Sequence, residues 1–188
     1  GTCFRGGALM GALSAIDIAL WDLAGKQLEV PVYQLLGGKT RDKVRAMLIL
    51  SGETGETLAE DAAKAVKEGF TFVKIVPFPI NHGKLYQANL RREIVERVAA
   101  VRETVGPDID IGVEMHRRLN VGEAIAVATE LEQFRPLFFE DPVSPESTLA
   151  TGDVASKIKI PLATGERNCH VHEFRDLLAC GGSQYVRP

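Results

Sequence analysis

A chain of 188 residues, 45% hydrophobic and 25% charged, has the make-up of ordinary globular protein and is long enough to bury a core. A formal net charge of −3 offers no basic footprint for nucleic acid or an anionic membrane surface, and no apolar run reads as a membrane span, so neither partner is expected. Cys3, Cys169 and Cys180 lack metal-ligand or disulfide spacing; with no secretory signal visible, they read as small apolar fillers in a reducing, cytoplasmic setting.

Residues 8–27 repeat Leu9, Leu13, Ile16, Leu20 and Leu23 at helical spacing, with Gly25 near the end. A short helical turn then closes on Gly37 and Gly38. From there apolar runs alternate with amphipathic ones. Strands are predicted over 44–50, 70–76, 108–115, 136–141, 159–166 and 183–187, and helices over 57–69, 86–106, 120–134, 144–158 and 171–182. Asn120 is the expected N-cap of the third of these helices, and Ser144-Pro145 the expected opening of the fourth. Six strands alternating with five helices through short loops predict an α/β fold with a parallel sheet, either doubly wound or closed into a barrel.

Three acids bear on that choice. Glu114, Glu140 and Glu166 each end an apolar strand, and each lies 26 residues from the next, about one βα unit. They should share one end of three successive strands, where their mutual repulsion calls for a hard divalent cation such as Mg²⁺. A doubly wound sheet feeds one switch point, whereas a (β/α)₈ TIM-type barrel brings every strand's C-terminal end to one mouth. The acids therefore favour a partial barrel of about six strands. The edge left open after Arg187 predicts that the chain is part of a longer protein.

The run SAIDIALWDLAGKQLEVPVYQLLGG, followed by strands ending in ExH, FFEDP and ATGER, resembles the enolase superfamily. Within it, the likeness is to the mandelate racemase subgroup and to galactonate dehydratase-like acid-sugar dehydratases. The resemblance implies a capping domain ahead of Gly1, which makes residues 1–42 its helical connection and 43–188 the partial barrel that carries the metal site. It implies one Mg²⁺ held by Glu114, Glu140 and Glu166. Asp is commoner at the first of these positions, so the longer Glu114 should shift the ion or the strand end.

The reaction implied is removal of the proton α to a carboxylate, giving an enediolate that the metal stabilises. Loss of the β-hydroxyl then yields a 2-keto-3-deoxy sugar acid. The implied partner is a small-molecule sugar acid, and the implied assembly a homo-oligomer. The alternatives are another lyase, racemase or epimerase of the superfamily, or a metal-binding barrel without turnover.

His116 follows Glu114 by two residues, on the same face of an extended segment. It matches the histidine that protonates the departing hydroxyl, a role suited to its near-neutral pKa. Lys74 stands where racemases of the family carry Lys-x-Lys, but the second position is apolar, so two-base racemisation is not expected. Lys74 itself is expected to reach the substrate carboxylate or the oxygens around the metal. The base is expected on a seventh strand beyond Pro188. Arg118, Arg167, Asn168 and His82 are read as substrate contacts, Arg117 as a weaker candidate, and His170 and His172 as surface or capping residues.

Overall fold

The computed structural model describes residues 7–188, so Cys3 lies outside the described residues. The chain divides into two compact units, one ending at Arg45 and one spanning Ala46–Pro188. The first contains α1 (Gly7–Leu28) and the single turn α2 (Val32–Leu35). Gly25 serves the turn between them, because a Cβ there would stand 2.9 Å from the carbonyl oxygen of Val30. By length and composition α1 could cross a membrane, which corrects the expectation that no stretch reaches that size. Asp17 and Asp22 interrupt its apolar run, yet an 18-residue window within it keeps a mean hydropathy of 1.4.

The second unit is a six-stranded parallel sheet whose spatial order is its chain order. The strands are β1 (Leu48–Ile49), β2 (Phe72–Ile75), β3 (Asp110–Glu114), β4 (Phe138–Glu140), β5 (Leu162–Thr164) and β6 (Tyr185–Val186). Between them run α3 (Gly55–Lys67), α4 (Gln87–Val105), α5 (Val121–Leu131), α6 (Thr148–Lys157) and α7 (Val171–Ala179). This is the alternation the sequence predicts, with sequential pairing as in a partial barrel.

The ladders are shorter than the apolar runs. β1 keeps only two residues of the predicted seven, because it is an edge strand that pairs on one side, with Val73 and Lys74. Two helix starts show how caps set boundaries. The Asn120 side chain accepts from the Glu123 N–H while Glu123 reaches back to the Asn120 N–H, so α5 begins where expected. The cap of α6 is Ser147, whose hydroxyl accepts from Ala150 N–H, so that helix starts later than Ser144-Pro145 suggests.

Strand alternation separates the two faces of the sheet. Val73, Ile75, Ile111, Val113, Phe139 and Leu162 are fully buried in one core with Leu58, Ile94, Val98 and Leu131 of the covering helices. Burying each such side chain contributes about 1.5–3 kcal/mol. The opposite face carries Phe72, Lys74, Gly112, Glu114, Phe138, Glu140 and Tyr185. On it the rings of Phe72, Phe138 and Tyr185 meet in sequence at 5.7 and 5.6 Å between centroids.

Candidate functional site

The site begins in the strand register. Lys74, Gly112 and Phe138 lie side by side across β2, β3 and β4, and two residues further on Glu114 lies beside Glu140. Gly112 is required there, since a Cβ would stand 2.7 Å from the Phe138 ring and 3.3 Å from Lys74 Cγ. The lysine stem can therefore run past β3 toward the acids. Its Nζ lies 2.6 Å from Glu114 Oε2 and 2.9 Å from Glu140 Oε2. Lys74 and Glu140 are 1% and 0% exposed, so one buried ammonium serves two buried carboxylates. Without it each acid would face a desolvation cost of several kcal/mol. Arg187, just past β6, engages the other oxygen of Glu140 and lies 3.8 Å from Glu166 Oε2. The free oxygen of Glu114 meets His116 Nε2 at 3.0 Å.

A second tier sits in the loops beyond the strand ends. After β3 the chain passes through His116 and Arg117 at φ 49° and 61°, and after β4 through Asp141 at φ 42°. A non-glycine residue in this left-handed region costs on the order of 1 kcal/mol or more, and such positions cluster at functional sites. Backbone bonds between the two loops hold the strain: Arg117 N–H donates to Asp141 O at 2.6 Å and Leu119 N–H to Pro142 O at 3.1 Å. Arg117 Nη1 bridges Asp141 Oδ2, at 2.9 Å, and Glu166 Oε1. The Thr164 hydroxyl donates to the other Asp141 oxygen at 2.6 Å.

Burial, reinforced by the charge of Glu166, holds the Asp141 carboxyl above the ordinary range despite its bonds from Thr164 and Arg117. Burial alone would lower Arg117, but its hydrogen bonds and ion pairs with Asp141 and Glu166 raise it above the ordinary guanidinium value.

One carboxylate oxygen each from Glu114, Asp141 and Glu166 lie within 4.8 Å of one another. Oxygens bound at about 2.0–2.6 Å to one hard cation stand up to about 5 Å apart, so the spacing and the all-oxygen donor set fit a divalent ion of the Mg²⁺ or Ca²⁺ kind.

Residues 57–188 match the family described as enolase C-terminal domain-like, and residues 3–37 the mandelate racemase/muconate lactonizing enzyme N-terminal domain. The chain belongs to the mandelate racemase/muconate lactonizing enzyme family of the enolase superfamily. A D-galactonate dehydratase of Verminephrobacter eiseniae is 38% identical over 98% of the chain and 48% of its own length. A candidate dehydratase from Zymomonas mobilis superposes with a TM-score of 0.92 at 34% identity, over 98% of this chain and 52% of that one. A member of the enolase superfamily from Salmonella Typhimurium gives 0.91 at 33% identity, over 98% and 53%. The chain thus spans about half the length of the relatives it matches. Members of this superfamily use a divalent metal, and the acidic triad could hold one.

Within this enolase-superfamily framework the sequence-predicted residues fall into three groups. Glu114, Glu140, Glu166, His116 and Lys74 do converge, though the triad whose oxygens lie within 4.8 Å of one another includes Asp141, while both oxygens of Glu140 are engaged by Lys74 and Arg187. Arg118 and His82 meet elsewhere, at Phe78: the guanidinium lies 4.9 Å above its ring and the imidazole 5.5 Å from it, with His82 Nδ1 3.0 Å from Pro79 O. Arg167 lines a cavity of ≈ 360 Å³ with Arg117, Ser144, Pro145 and Glu146.

Asp141 and Arg187 were not among the candidates, and Arg117 was only a weak one. The available signals were the doubled acid in FFEDP and basic residues one and three places past a strand end. Cys180 is partly buried, but Cys169 is exposed, since it lies in the loop before α7 rather than in the core. His170 stands at the N-cap position of that helix, where its N–H and that of Cys169 donate to Glu173.

Proposed function

We propose that the protein is a cytoplasmic, homo-oligomeric, Mg²⁺-dependent dehydratase of acid sugars, converting a small sugar acid to its 2-keto-3-deoxy product. The observation that carries this reading is the acidic triad with His116 Nε2 3.0 Å from Glu114 at its edge. The D-galactonate dehydratase relatives support the substrate class.

Glu114 and Glu166 hold the ion together with one or both of the adjacent acids Glu140 and Asp141. A bound Mg²⁺ supplies positive charge where negative charge develops as the α-proton leaves. His116 is the general acid. Its ring is 41% exposed beside the triad, and Nε2 carries the proton delivered to the departing β-hydroxyl, which leaves as water. The Glu114 carboxylate, 3.0 Å away, keeps that nitrogen turned toward the triad. Lys74 is a positioning residue, sealed beneath the acids and fixing Glu114 and Glu140. Arg167, in the open cavity, is placed to meet substrate oxygens, and Arg118 and His82 brace the rim through Phe78. Residues 1–42 are read as the connection to a capping domain and 43–188 as the barrel segment.

The test is a panel of acid sugars incubated with the whole protein and Mg²⁺, with chemical detection of 2-keto-3-deoxy acids. Product from galactonate, gluconate or mannonate is expected. Exchange of the α-proton for solvent deuterium without elimination would move the protein to a racemase or epimerase reaction.

A further inference from the structure

We propose that Arg117 is a resident counter-ion of the acidic triad, which a divalent cation must displace from Asp141 and Glu166 in order to bind. The inference rests on the metal-binding part of the function proposed above and adds a determinant of affinity to it.

Three observations meet in this residue. Arg117 Nη1 bridges Asp141 and Glu166, two of the three acids whose oxygens converge. A guanidinium occupies the lone pairs that a cation would need, so the two compete for the same oxygens. The backbone at Arg117, at φ 61°, lies where glycine is at ease and a long side chain is not. Arginine's ion pairs are the compensation visible there. Lastly, Arg117 lines the same open cavity as Arg167, so its guanidinium has space to leave by side-chain rotation. Its backbone need not move, since Arg117 N–H stays bonded to Asp141 O.

Charge gives the direction. Lys74 beside Glu114 and Arg187 near Glu166 stay in place in either arrangement, so swinging Arg117 away removes one positive charge from the triad and frees the oxygens of Asp141 and Glu166 for a divalent ion. Arg117 should therefore set the Mg²⁺ concentration at which the site fills.

Calorimetric titration of MgCl₂ into the whole protein, at constant ionic strength, tests this with R117N, R117G and R117K. Asn tolerates left-handed φ without a charge, Gly removes both strain and charge, and Lys keeps a charge but not the fork. R117N and R117G should both bind Mg²⁺ about tenfold or more tightly than wild type, a difference of about 1.4 kcal/mol, with R117K between. Tighter binding in R117G alone would trace the effect to backbone relief and overturn the proposal, and so would equal or weaker binding in both. If wild type binds Mg²⁺ and the variants bind no better, only the role of Arg117 fails. If none binds at millimolar Mg²⁺, the metal-binding reading falls with it. Circular dichroism of each variant confirms that the comparison is between folded proteins, and R117K preserves the comparison should the neutral variants not fold.

Discussion

The two tiers of the acidic site are built on different principles. The lower tier, Lys74 with Glu114 and Glu140, is made of strand residues in register, sealed from solvent and held by one internal ammonium shared between two carboxylates. The upper tier, Arg117 with Asp141 and Glu166, stands on loops with left-handed backbone and is partly open. Regular structure gives the first its rigidity. The second gets its geometry from strain held by cross-loop hydrogen bonds. The lower tier should therefore govern stability, and the upper tier ligand affinity and turnover.

Several substitutions would break or sharpen that division. The largest effect is expected from K74M, which leaves Glu114 and Glu140 buried without their shared cation and should cost about 3–5 kcal/mol in denaturant unfolding. An unchanged unfolding midpoint would mean that the lower tier does not carry buried charge. Next comes H116N, expected to lower turnover of a productive sugar acid by about 10² or more while leaving Mg²⁺ affinity and unfolding nearly unchanged. Full activity would remove His116 from the acid role. G112A should cost about 1–3 kcal/mol as its Cβ meets the Phe138 ring and the Lys74 stem, read as a lowered melting temperature.

The smallest stability effect belongs to D141N. Because the folded carboxyl of Asp141 sits above its ordinary range, ionising it is harder in the fold than in the unfolded chain. The metal-free protein then loses stability as pH rises from the ordinary carboxylate range through Asp141's raised value, and Asn removes that loss. At neutral pH, D141N should be at least as stable as wild type yet bind Mg²⁺ more weakly. Melting both across about pH 4 to 7 should show the wild type falling behind as pH rises. A gap that narrows with pH would contradict the direction of the shift.

The same division decides what was readable from sequence. The helices, the parallel order and the strand-end acids follow from apolar period and even spacing, and Asn120 follows from capping chemistry. Asp141 does not follow. Consecutive strand residues point to opposite faces, so the alternation that puts Glu140 on the site face takes Asp141 off it, and only the left-handed turn at Asp141 lets both acids serve the site. No sequence rule announces a non-glycine left-handed residue, and Arg117 stayed a weak candidate for that reason. The pairing of Arg187 with Glu140 joins β6 to β4 across the sheet, a contact that local patterning does not encode. Arg118 was read as a substrate contact from the resemblance and His82 from its place in a loop, and the ring of Phe78 between them had no local signature.

The alternation of β3 carries a further consequence. Ile111 and Val113 enter the helix-covered core while Gly112 and Glu114 face the other way, so a slip of one residue against β2 or β4 would exchange the two sets. Glu114 would then be driven into hydrocarbon with no lysine in reach, and the misaligned sheet would be heavily disfavoured. The groups that prepare this protein for chemistry thus also proofread its assembly: the charge that awaits a ligand in the finished molecule is what rejects the wrong alignment while the molecule is being made.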